Sequence, residues 1–176
     1  MFKTVISSAA CILALLCSSA MAQETLGPPD AIHGDWVVFE EGSPKMCWVV
    51  TGPKIPAKTT RDGKVVSVRP RKIGLFVHYR PSENINGEVS YTGGYPFDKN
   101  VKIIFNIEGS KFEMLDKDEW AWPDPPLLDK KIVAEMKRGF TAEITAQSQR
   151  GTLVVDTFSL QGFTAAVQDA EKRCAG

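Results

Sequence analysis

Histidine is scarce in this chain: its 176 residues hold two, His33 and His78. That removes the commonest general acid–base groups near neutral pH and most zinc sites. Neither histidine lies in an H-E-x-x-H pattern, and the sequence has no G-x-S-x-G elbow, P-loop or dinucleotide fingerprint. Both read as exposed or simply hydrogen-bonded side chains. A charge excess is missing too. Lys plus Arg and Asp plus Glu each number 21, which leaves no electrostatic case for nucleic acid or an anionic membrane surface. Cysteine is limited to four, without a C-x-x-C pair, so redox exchange has no motif. After the first 22 residues no apolar run is long enough to span a bilayer as a helix. The 43% hydrophobic content excludes a disordered chain.

What is present begins with a leader. Lys3 supplies a positive end, residues 5–16 an apolar run, and Ala20-Met21-Ala22 a small-residue cleavage site before Gln23. Residues 1–22 therefore read as a signal peptide, which places the protein in the periplasm or among secreted proteins. Lipidation at Cys17 or Cys11 fits less well, because Leu16 stands where a small residue belongs and little apolar sequence precedes Cys11. Cleavage takes Cys11 and Cys17 away with the leader. Cys47 and Cys174 remain, and in an oxidising compartment they have one way to pair. A metal or catalytic role is disfavoured, since zinc normally takes four ligands.

Residues 23–33, with Pro28-Pro29, read as a flexible lead-in, and residues 34–176 as one β-rich domain. Strand signals run through 34–39 and 46–50, separated by a turn at Glu41-Gly42-Ser43-Pro44. Residues 51–64, rich in Pro, Gly and Lys, read as a loop. From Ile73 the alternation is clean: Ile73, Leu75, Val77 and Tyr79 share one face, and Phe76, His78 and Arg80 the other. Val89 and Tyr91 continue it. Val101, Ile103, Phe105 and Ile107 share a face, and Gly109-Ser110 turns the chain into residues 111–115. Phe140, Ala142, Ile144 and Ala146 alternate before a turn at 148–151 and a last strand at 152–158.

Two segments change period. Leu128, Ile132, Val133 and Met136 recur at helical spacing, with Gly139 as the stop. Leu160, Phe163, Val167, Ala170 and Cys174 form one face of a second helix, with Ser159 as the expected N-cap. The expected fold is mainly β: an antiparallel β-sandwich or partly open barrel with two short α-helices, the C-terminal one tied by the Cys47–Cys174 disulfide. An outer-membrane barrel needs longer strands without helical interruptions.

Chemistry-bearing residues are few. Asp116, Asp118, Glu119 and Asp124 cluster around Lys117, but lack the spacing and glycine of a calcium loop, and read as a solvated turn. No metal and no cofactor is expected. Arg69-Pro70-Arg71-Lys72 is a basic run, read as a solvated loop with an anionic headgroup as the alternative. Trp36 and Trp48 are expected in the core near the disulfide. In Trp120-Ala121-Trp122, alternation puts both tryptophans on one face, where they either cap the core or stack against a sugar or peptide. Trp120, Trp122 and Arg150 are the candidate binding residues.

The two ends of the domain carry a family resemblance. Gly34-Asp35-Trp36 with Cys47 at the start, and residues 148–152, Phe158-Ser159-Leu160-Gln161-Gly162-Phe163-Thr164-Ala165-Ala166 and Cys174 at the end, resemble the invasion-associated locus B (IalB) family of exported alphaproteobacterial proteins. Family members commonly carry further cysteines that this chain lacks. The resemblance implies a periplasmic or envelope-associated β-rich domain, and for some members a link to host-cell entry. It implies no catalytic set. The expectation is a non-enzymatic module that binds a protein partner or envelope ligand. Two rivals are an envelope-polymer hydrolase or lyase using Asp118 or Glu119 near the tryptophans, and a periplasmic assembly or chaperone-like module using a sheet edge.

Overall fold

The computed structural model describes residues 27–175; the leader predicted at 1–22 lies outside them. Among the described residues, twelve strands form one antiparallel sheet. In chain order they are β1 (Ala31–His33), β2 (Trp36–Glu41), β3 (Met46–Thr51), β4 (Lys58–Arg61), β5 (Lys64–Val65), β6 (Gly74–Arg80), β7 (Ile85–Thr92), β8 (Ile103–Ile107), β9 (Ser110–Lys117), β10 (Trp120–Pro123), β11 (Thr141–Gln147) and β12 (Leu153–Ser159). Helix α1 (Leu128–Met136) lies between β10 and β11, and α2 (Phe163–Ala175) ends the fold. Across the sheet the order is β1-β2-β3-β6-β7-β10-β9-β8-β11-β12-β4-β5.

The sheet curls until its distant parts meet. Lys54 N–H, just past β3, donates to the Thr157 carbonyl of β12 at 3.0 Å. Trp36 Nε1–H of β2 donates to the Ser159 carbonyl at 3.0 Å, and Asp35 N–H to Gln161 at 3.0 Å. The expected mainly β, antiparallel fold with two helices is found, built from one continuous sheet. Period-2 alternation sends Trp36, Val38, Val49, Leu75, Val77, Tyr91, Phe105, Ile144 and Phe158 to the interior, all essentially inaccessible to water. Each large apolar side chain so buried contributes roughly 2 kcal/mol of transfer free energy.

The helices cover the inner face. Ile132, Val133 and Met136 of α1 pack over β7 and β9, while Phe163, Ala166, Val167, Ala170 and Cys174 of α2 pack over β1, β2, β3 and β6. Phe163 meets Trp36 edge-on at 4.7 Å between ring centroids. Cys47 and Cys174 form a disulfide with Cα atoms 5.9 Å apart. It ties the last turn of α2 to β3, as the sequence predicts.

Several expectations need correction. Ala31–His33, assigned to the lead-in, is β1: it pairs with β2, and His33 Nε2 meets Asp169 Oδ2 of α2 at 2.9 Å. The β4–β5 hairpin begins inside the 51–64 loop and ends at Val65, and its Asp62-Gly63 turn has positive φ at both residues, the geometry that Asp-Gly favours. Ser159 ends β12, and its Oγ accepts from Gln161 N–H at 3.2 Å rather than capping α2. Phe140 precedes β11, so strand alternation does not govern it, and it is exposed. Trp48 faces away from the core, because Cys47 and Val49 take the inward positions of β3; it is buried against Phe39, 5.2 Å away and nearly parallel.

Candidate functional site

The outer face of β2, β3, β6, β7 and β10 carries a band of aromatic side chains. Strand register generates it. Phe39 opposes Trp48, Trp48 opposes His78, and Trp120 opposes Thr92 on β7. His78 stacks on Phe76 at 5.6 Å, Phe76 approaches Trp120 at 5.3 Å, and Trp120 stacks on Trp122 at 6.2 Å. Ala121 and Pro123 take the inward positions of β10, which leaves both tryptophans outside. Trp120 keeps 36% of its surface exposed. The expected sharing of one face by Trp120 and Trp122 is what the structure shows, and that face is the outer one.

A shallow depression of about 550 Å³ lies on this band, lined by His78, Arg80, Glu88, Ser90, Trp120 and Trp122. Arg80 Nη2 and Glu88 Oε1 pair at 3.0 Å. His78 Nε2 lies 3.1 Å from Ser90 Oγ, while its Nδ1 has no hydrogen-bond partner. Burial, with Arg80 adding to it, pushes the imidazole down to about 4, so His78 is neutral at ordinary pH. The depression thus offers flat aromatic surfaces, a neutral imidazole, a hydroxyl and a compensated ion pair. Glu88 is its only lining carboxylate. Asp118 and Glu119 form the exposed β9–β10 turn and do not line it. The two facing carboxylates required for glycoside cleavage are not gathered there.

Arg150 is not part of this band. It lies at the β11–β12 turn and lines a separate cleft with Arg61, Arg69 and Arg71. The depression at the tryptophans and the cleft at Arg150 share no lining residue. Among the described residues no three His, Cys, Asp or Glu side chains are arranged to hold a metal ion. The sheet edges are short: β1 has three residues, and β5 has two, one of them Lys64. Short edges with lysine are poor templates for strand addition.

Fold and face together define a class: a single curled antiparallel sheet, closed by a disulfide-tied helix and carrying an aromatic outer surface. The structure is similar to the crystal structure of invasion associated protein B from Bartonella henselae, with a TM-score of 0.55 over 83% of this chain and 98% of that one. At 15% identity the likeness shows the shared fold, the one that the IalB resemblance in the sequence implies. No family model matches the sequence, and the comparison with curated proteins finds no match. No described helix is long and apolar enough to cross a membrane.

Proposed function

We propose that this protein is an exported, IalB-like, non-enzymatic binding module that holds an envelope glycan against the aromatic band. The observation that carries the reading is the Phe76–Trp120–Trp122 stack beside Arg80, Glu88 and Ser90. Stacked rings provide flat apolar surfaces for sugar faces, and the polar rim provides hydrogen bonds that fix orientation. A glycan fits better than an apolar peptide, because the depression is shallow and half its lining is charged or hydroxylic. The leader and the disulfide support an oxidising, extracytoplasmic setting.

Titration of tryptophan fluorescence with envelope oligosaccharides tests the reading. Saturable quenching is expected, lost in Trp120→Ala and Trp122→Ala. Undiminished binding by both variants overturns it, and release of shortened oligosaccharides on prolonged incubation overturns the non-enzymatic part. Export is tested by the mature N-terminus, expected at Gln23; retention of residues 5–16 refutes cleavage. Host-cell entry or envelope integrity is the proposed setting, tested by comparing entry and detergent sensitivity of a deletion strain with its parent.

A further inference from the structure

The chain has seven arginines, and their partners divide them sharply. Arg71, Arg80, Arg138 and Arg173 each pair with a carboxylate. Arg61, Arg69 and Arg150 pair with none among the described residues, and all three line one cleft of about 570 Å³. No Asp or Glu lines that cleft. In a chain whose formal charge is zero, three uncompensated guanidinium groups around one cavity form a local positive field without a protein counterion.

The cleft is built from separate pieces of chain. Arg61 comes from the end of β4, Arg69 from the segment before β6, and Arg150 from the β11–β12 turn, and Tyr95 and Pro96 also line the cleft. Arg61 is held in place: its Nε and Nη2 donate to the buried Thr152 Oγ1 at 3.1 and 2.5 Å. Its other N–H groups stay available. Arg71 anchors the segment bearing Arg69, since it reaches Asp156 of β12 and the Gly93 carbonyl. Its guanidinium also lies 5.1 Å from the centre of the Tyr95 ring. The Tyr95 hydroxyl is buried without a hydrogen-bond partner. Ser67, Ser148 and Gln149 add neutral hydrogen-bonding groups, and Val68, Pro70 and Pro96 an apolar wall.

We propose that this cleft binds a phosphate-bearing ligand, with Arg61, Arg69 and Arg150 taking the phosphate and the apolar wall taking the organic group that carries it. A phosphate monoester brings close to two negative charges and three acceptor oxygens, and arginine forks match it. A single carboxylate would leave most of the positive charge uncompensated. The volume exceeds what a bare phosphate fills and lies in the range of small-ligand sites. The same chemistry is offered by a soluble sugar phosphate and by a phospholipid headgroup. The site is independent of the aromatic band.

Calorimetry on the full mature chain tests the proposal, with glucose 1-phosphate, inorganic phosphate, glucose and glucuronate as probes. Phosphatidylcholine vesicles with and without phosphatidic acid form a second arm, read by sedimentation. Saturable, salt-sensitive binding of glucose 1-phosphate, of phosphatidic acid vesicles or of both is expected, and the arm that responds identifies the source. Arg69→Gln and Arg150→Gln, both exposed positions, each weaken that binding by roughly tenfold or more. Arg138→Gln, the same charge change outside the cleft, leaves it unchanged. Equal binding of glucuronate overturns the phosphate assignment. Equal loss in Arg138→Gln, no loss in the cleft variants, or no binding of any phosphate probe overturns the site.

Discussion

Arg71 Nη2 stands 2.8 Å from Asp156 Oδ1, and the carboxylate it meets is completely buried. Tyr91 donates its hydroxyl to the other oxygen of Asp156 at 2.6 Å. This cluster joins the segment before β6, the inner face of β7 and the inner face of β12. Removing the cation alone leaves an unpaired charge in the core, so Arg71→Met is expected to cost about 3–5 kcal/mol. The double change Arg71→Met with Asp156→Asn is expected to cost less than the single one. Urea unfolding measures both; equal losses would argue against an ion-pair origin.

Stability should fall in mild acid on account of His78. Its folded value is pushed down to about 4 from 6.5 by burial, with Arg80 contributing. The unfolded chain takes up a proton near pH 6.5 while the folded one does not. The contribution is therefore fully present above 6.5 and is lost as pH falls towards 4, on the order of 3 kcal/mol. Urea midpoints across this window should show the slope, and His78→Gln should flatten it.

Asp129 works in the opposite sense. Burial pushes its carboxyl up to about 6 from 3.8, with a smaller contribution from Glu88, while the Val89 N–H that it accepts pulls the other way. The folded state holds the proton more tightly, so this stability is full below 3.8 and lost as pH rises through 6. Asp129→Asn is expected to stabilise at neutral pH, by about 1 kcal/mol once solvent screening of a half-exposed group is allowed for. The gain should vanish at acid pH; a gain that persists there would refute the titration account.

The disulfide links residues 127 apart in sequence. In the chain-entropy account, opening so large a loop costs about 5 kcal/mol. Cys174→Ala is expected to lower the melting temperature steeply, and reductant should do the same to the wild type alone. Two free thiols in the purified, unreduced protein would contradict the bridge.

Gly162 and Gly109 separate close approach from backbone strain. Both have positive φ, 89° and 104°. A Cβ at Gly162 would fall on the His33 carbonyl of β1, whereas one at Gly109 meets nothing within 4 Å. Gly109→Ala should cost only left-handed strain, about 1–2 kcal/mol. Gly162→Ala should cost clearly more, because the β1–α2 contact must open. Thermal melts of the two variants give the comparison.

Most of the fold was legible because its signals are local. The runs 73–80, 103–107 and 141–147 alternate with period 2, and the apolar residues of α1 and α2 recur at helical spacing. Register was not legible. Trp48 reads as a core residue in an all-apolar run, yet a single step of alternation turns it outward onto Phe39. The short strands β1, β4 and β5 leave no signal in the sequence because each has too few residues to show a period. The tryptophan pair on β10 was visible, but its neighbours Phe76 and His78 were not, since they reach it from another strand through β7.

Local chemistry along the chain was sufficient to set the secondary-structure types, the pairing of Cys47 with Cys174 and the sharing of one face by Trp120 and Trp122. Tertiary structure alone decided that β2 and the chain after β3 meet β12, and that Arg61, Arg69 and Arg150 surround one cleft lined by neither tryptophan. The reason is physical. Periodicity records which way each side chain points from its own strand, whereas curvature and strand order determine which distant strands and turns come together.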